Sequence, residues 1–242
     1  SAGRTSGGAM NIDPTAVTHS AAERVASRID EVFRSLKEFR DEASPLLNAP
    51  DVHHRDLANL QPVAHAMIER HAGLVSGAGL AVAPGALADA SAWMQSWHRA
   101  GSSLSLTRHS LNPSAVNYYD YTDMEWYREP ATRGEPYLTD PYMDFGGTER
   151  MIVTAAIPAH SWNNTVSVIA ADLSLPSLER TLLGVLGSHP SPIALIGAGG
   201  KVIATNSARL AIAGRLGSDA STKEFRLPTS DIVIGWRLVA FS

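Results

Sequence analysis

Between Ala22 and Ala43, apolar residues recur at Ala22, Val25, Ile29, Val32, Leu36, Phe39 and Ala43, alternately three and four positions apart. An α-helix is the structure that gathers that spacing onto one face. Glu23, Arg24, Arg28, Asp30, Glu31, Arg34 and Lys37 cover the remaining faces. Asp13-Pro14 supplies a cap and a first-turn proline, and Ser20-x-x-Glu23 offers a second start signal. The pattern predicts one helix over 13–47, with about 30 helical residues spanning roughly 45 Å. Such a stripe has to be covered. A second copy of the helix or the chain's own sheet could cover it, and the expectation adopted is a homodimer through this helix.

Downstream the periodicity changes. Asn48–His54 reads as a linker and Asp56–Ala72 as a second helix. Strand signals follow at Leu74–Val82, Ser91–His98 and Ser103–His109, separated by glycine- and proline-bearing turns. Two further apolar runs, Met151–Pro158 and Val166–Leu173, precede a helix over Ser174–Leu186. A smaller unit follows Gly187–Pro192. It holds a hairpin turning at Gly197–Gly200, a short helix around Ser207–Arg215, and a terminal strand pair, Lys223–Leu227 and Asp231–Phe241. Strands and helices without regular βαβ alternation give an α+β class with antiparallel sheets. The expected parts are 13–47 (long helix), 48–187 (main lobe) and 188–242 (smaller lobe). Residues 1–12, SAGRTSGGAM and the two that follow, read as a cloning remnant and disordered lead-in.

Composition excludes several classes of function. At 44% hydrophobic and 18% charged residues, the chain can build a full core and does not read as disordered. A net charge of −4 leaves no basic footprint, so no direct nucleic-acid contact is expected. With no cysteine, disulfides, thiol nucleophiles and thiolate metal sites are absent. No apolar run approaches the ~20 residues that cross a bilayer. The alternatives for location are a cytoplasmic protein or the extracytoplasmic part of a membrane sensor, with the balance slightly toward the first.

The glycine pairs Gly77-Ala78-Gly79 and Gly199-Gly200 complete neither a dinucleotide nor a Walker motif. His65, Glu69 and His71 lack the HExxH order of zinc peptidases, so no metal or cofactor is expected. There is no GxSxG. Paired carboxylates are plentiful, which keeps a carboxylate-dependent hydrolase as a minor alternative. A ligand-free dimerisation module is the other.

The segment from Asn117 to Ser174 carries the most chemistry. It holds Trp126 and all six tyrosines of the chain, interleaved with acids. Aromatic rings combine large contact area with polar tips, which suits a pocket lining. Trp126-Tyr127, the Tyr137…Tyr142 stretch with Asp140 and Asp144, the strand MIVTAAIP, and VSVIAADLS running into a helix together resemble a Cache domain, the extended PAS-like sensor module of bacterial signalling proteins. More narrowly, the chain is similar to stand-alone Cache proteins of high-GC Gram-positive bacteria, some linked to winged-helix transcription regulators. The resemblance implies a double-Cache-like fold with a reduced second lobe, and a non-catalytic small-molecule sensor.

It also implies a site. In amine- and amino-acid-binding members, an Arg-x-Trp-Tyr stretch holds the ligand carboxylate, and a later tyrosine and a strand-end aspartate take the ammonium. Here Trp126-Tyr127 match the pair, Tyr142 the later tyrosine and Asp172 the aspartate, but Met124 stands where the arginine would be. Without that guanidinium a free α-carboxylate loses its bidentate partner. The expected ligand is therefore cationic or polyhydroxylated. Tyr121 and Asp144 complete the expected lining. Trp97, grouped with Trp93 and His98 on one strand, is placed on the pocket side, and Arg108 is a substitute cation. Asp172 has a competing reading as a cap of the helix that follows it.

Overall fold

The computed structural model describes residues 14–145, 148–187, 189–217, 222–229 and 232–241. The expectation for 1–12 lies outside the described residues, as does Asp13. Helix α1 runs over Pro14–Leu47, and a 3₁₀ stretch over His54–Leu60 leads into α2, Gln61–Arg70. The first sheet is built from β1 (Val75–Val82), β2 (Trp93–Ala100), β3 (Ser103–Thr107), β4 (Tyr137–Leu138), β5 (Tyr142–Met143), β6 (Met151–His160) and β7 (Val166–Ser174). Helix α3, Glu125–Arg133, lies between β3 and β4. After α4, Leu175–Leu186, come β8 (Ile193–Ile196), β9 (Val202–Thr205), β10 (Thr222–Arg226) and β11 (Arg237–Phe241).

All pairings between these strands are antiparallel. The first sheet has the order β3-β2-β1-β7-β6-β4, with β5 also on β6, and the second has β10-β11-β8-β9. The fold is α+β: a long helix, a large antiparallel sheet and a smaller one. Gly197–Gly200 does form the β8–β9 turn, with Gly200 at φ +86°, a backbone that glycine adopts without a Cβ clash.

The apolar stripe of α1 is spent inside the chain. Ala22, Val25, Ile29, Val32, Leu36, Phe39 and Ala43 are all buried, and α1 packs on β6, β7, α4, β10 and β11. One core therefore joins both sheets through α1 and α4. The outward side of α1 presents Glu23, Arg24, Ser27, Arg28, Arg34 and Glu38. This corrects the expectation that the stripe meets a second copy of the helix. Burying an Ile, Leu or Phe side chain contributes about 1.5–3 kcal/mol each, and the sheet is the nearest surface able to take it.

Two local expectations also fail. Residues 207–215 are not helical: Ala213 has φ +63°, Val202 N donates to Gly214 O, and Ala213 N donates to Val202 O. The segment instead lays Leu210, Ile212 and Leu216 over the outer face of the second sheet. Trp97 lies on the wrong face for a pocket. Adjacent residues of a strand point to opposite faces, so Trp97 and His98 cannot share one. Trp97 is buried in the core under α2, edge-on to His65.

The face opposite α1 and α2 positions the site. There β1, β7 and β6 present the small residues Gly79, Ala81, Ala170 and Ala156. Over them α3 and the preceding tyrosine-rich loop build a second apolar cluster around Tyr119, Tyr121, Trp126 and Tyr127. Small residues below and rings above leave a gap between the layers.

Candidate functional site

The gap is a cleft with about 390 Å³ of atom-free space, its mouth included. Its floor is Ala78–Ala81 and Ala170, and its walls include Met94, Ser96, His98, His109, Tyr119, Trp126, Tyr142, Asp144 and Asp172. In this closed form its interior has room for about one water, so a larger ligand must spread the walls.

The polar half is a row across the sheet. Register places Gly77 of β1 opposite both His98 of β2 and Asp172 of β7, and Thr154 of β6 opposite Asp172. The His98 imidazole lies over Gly77 and donates from Nε2 to Asp172 Oδ2 at 2.9 Å. Thr154 Oγ1 donates to Asp172 Oδ1, also at 2.9 Å. That proton being committed, the Tyr142 hydroxyl is the donor to Thr154 Oγ1 at 2.8 Å. His98 Nδ1 meets Thr107 Oγ1 at 2.8 Å, and with Nε2 carrying a proton the imidazole orientation is set from both ends. The β1–β7 register shifts between Val75 and Gly77, leaving Ser76 as an extra residue that donates to the Asp172 carbonyl at 3.0 Å. Bulges of this kind re-aim side chains beside sites.

Asp144, from the loop after β5, closes the other wall. It is buried; Oδ1 accepts from the Tyr119 hydroxyl at 3.0 Å, and Oδ2 from Thr148 N and Oγ1 at 2.6 and 3.0 Å. Tyr119 is stacked by His109, with centroids 4.8 Å apart. Burial, and then the charges of both aspartates, push the hydroxyls of Tyr119 and Tyr142 far above the ordinary phenol range. Both stay neutral donors. Both Asp172 oxygens and Asp144 Oδ1 thus have one donor each and keep a second lone pair for an incoming group, while Asp144 Oδ2 is filled by Thr148.

The eight expected lining residues divide. Trp126, Tyr142, Asp144 and Asp172 converge on the cleft. Asp172 turns inward, and the N-cap of α4 is Ser174, so Asp172 does not cap that helix. Tyr121 and Tyr127 stand one layer behind the cleft wall. Their hydroxyls donate to Val82 O (2.7 Å) and Val166 O (3.1 Å), and their rings meet edge-on at 5.2 Å. Burial pushes the Tyr121 hydroxyl up to about 12. Trp97 is on the far face, and Arg108 is exposed just past β3, outside the lining. Sequence reasoning missed Tyr119, Ser96 and Met94. It named His98 without its partner, and the glycine at 77 that admits the ring was the available signal.

What the cleft can do follows from its charges. Two carboxylates and two imidazoles line it, with no lysine or arginine among its described lining residues. Among the described residues no cluster of three or more His, Asp or Glu could hold a metal. No helix among them is long and apolar enough to cross a membrane.

Residues 72–180 match the family described as methyl-accepting chemotaxis protein-like, first PDC sensor domain. Among solved structures, the chain is similar to one titled Methyl-accepting Chemotaxis protein X (20% identity, TM-score 0.64, 94% of this chain and 98% of that one). It is also similar to the ligand-binding domain of the Pseudomonas aeruginosa PAO1 amino acid chemoreceptor PctC in complex with GABA (16%, TM-score 0.60, 94% and 98%). A third is the ligand-binding domain of the Pseudomonas fluorescens chemoreceptor CtaA in complex with L-leucine (15%, TM-score 0.62, 94% and 91%). The cleft, β1 to β3, α3 and β4 to β7 all fall within the matched stretch. Residues 72–180 are thus similar to a PDC-type, Cache-like sensor domain, and the chain shares its fold with these solved domains.

Proposed function

We propose that the protein senses a small molecule carrying a positively charged amine, bound between Asp144 and Asp172 beneath Trp126 and Tyr142, without chemistry being done on it. The observation that carries this reading is the charge of the cleft: two preoriented carboxylates face it, and among the described residues no guanidinium or ammonium lines it. An ammonium can take the free lone pairs of both acids in charge-assisted hydrogen bonds, while the Trp126 and Tyr142 rings cover its apolar or cationic surface. The structurally similar domains in complex with GABA and L-leucine also hold amines, which supports the class and not the compound. Met124, packed against the aromatic cluster where amino-acid receptors are expected to carry arginine, argues against α-carboxylate recognition at that point. Transcription regulation, implied by the narrower resemblance, is proposed only as one possible output of such a sensor, alongside kinase or chemotaxis signalling.

The test is thermal stabilisation by a panel of primary and quaternary amines, polyols and neutral isosteres, since a ligand that binds only the folded state raises its melting temperature. Amines should stabilise the wild type. Asp172→Asn, which removes charge at nearly constant volume, should abolish that effect, whereas Trp126→Ala should weaken amines and polyols alike. Amine binding undiminished in Asp172→Asn would remove the reading.

A further inference from the structure

Beyond His98 the edge of the first sheet carries a second concavity of about 620 Å³ of atom-free space, wide open to solvent. Its chemistry is opposite to that of the cleft. Ser76, Ser105, Thr107 and Thr148 contribute hydroxyls, His98 its imidazole and Arg150 a guanidinium, and among the described residues no carboxylate lines it. Arg99, which also borders it, is already held by Glu69 of α2 at 3.0 Å. Arg150 is exposed and has no ion pair among the described residues.

The two hollows are separated by a wall one side chain thick. His98 lines both and donates to Asp172. Thr148 lines the outer chamber, and its N–H and hydroxyl hold Asp144. Each acid of the cleft is therefore one hydrogen bond away from a residue of the chamber. Ser76 reaches it because of the bulge in β1.

We propose that this outer chamber is an oxyanion subsite that takes the acid end of the molecule whose amine lies at Asp144 and Asp172. The proposal rests on the reading above and extends it. A carboxylate kept inside the cleft would face two aspartates and no cation, whereas one reaching past His98 meets the Arg150 guanidinium and a set of hydroxyl donors. The arrangement selects for separated charges. An ω-amino acid can place its ammonium and carboxylate on opposite sides of the wall. An α-amino acid has both on one carbon and would bring its carboxylate against the aspartates.

Isothermal titration of the wild type and Arg150→Gln with three probe series tests this: n-alkylamines, n-alkyl carboxylates, and ω-amino acids of several spacer lengths. In the wild type, one spacer length should bind at least about tenfold more tightly than the matching amine, the range expected of a charge-assisted pair. Arg150→Gln should erase that advantage and leave amine affinity unchanged. Arg150 is on the surface, so the variant folds. An advantage that survives Arg150→Gln overturns the proposal. So does a carboxylate that binds alone as tightly as the amino acid, which would make the chamber a site for free anions. Amine binding without any gain from the acid end defeats the subsite alone, whereas absence of amine binding defeats the cleft reading as well.

Discussion

His98 Nε2 and Asp172 Oδ2 lie 2.9 Å apart although their strands are not neighbours: β1 runs between them, and only Gly77 separates the two side chains. A Cβ at position 77 would sit 2.1 Å from the His98 ring. Gly77→Ala should therefore expel the imidazole, leave Asp172 short of one donor and destabilise the fold by about 1–3 kcal/mol. Gly184, in α4, has open space around its Cα, so Gly184→Ala should stabilise by about 0.5–1 kcal/mol. Urea denaturation of the two variants checks both signs, and the imidazole resonances report whether His98 has moved.

Ile29→Glu or Leu36→Glu should unfold the chain or cost more than about 4 kcal/mol, because each buries a carboxylate in the shared core. Arg28→Glu on the outward face should stay within about 0.5 kcal/mol. Circular dichroism with size-exclusion chromatography separates this outcome from that of a helix interface between copies, in which the core variants would be folded monomers.

Tyr119→Phe removes the donor to Asp144 Oδ1 in a buried setting. A loss of about 1–3 kcal/mol is expected, against almost none for Tyr118→Phe at the surface. Chemical denaturation resolves the difference.

His71 should make stability fall in mild acid. Burial, and then the neighbouring charge of Arg70, hold its pKa below 6.5, while Nε2 meets Ser35 Oγ at 2.9 Å. The unfolded chain takes up the proton near 6.5 and the folded chain resists it. Between those two values the unfolded state binds more protons, so stability drops as pH falls through the window. Urea midpoints at pH ~7.5 and ~5.5 should differ more in the wild type than in His71→Gln.

The one-dimensional patterns of the chain were enough for its longer elements, though not for Ser207–Arg215, where the expected helix is a loop. The stripe of α1 predicted a helix over 13–47 and Pro14–Leu47 is helical; the runs at 151–158 and 166–173 predicted the strands that became β6 and β7. Spacing and apolar content are local properties, and helix and strand periods are read from neighbours in sequence. Trp126, Tyr142, Asp144 and Asp172 were also legible as one group, since they cluster in one stretch with a resemblance behind them.

What the α1 stripe packs against, and which face of β2 meets the cleft, were decided only in three dimensions. The stripe looks the same whether a sister helix or the chain's own sheets cover it, and here the sheets do. Trp97 and His98 are neighbours in sequence but go to opposite faces, because strand register, set by pairing with β1, sends one to the core and the other over Gly77. The partnership of His98 with Asp172 spans 74 positions of chain and depends on a missing Cβ at a third residue. No local pattern encodes a contact of that kind; it exists only once β2, β1 and β7 are aligned.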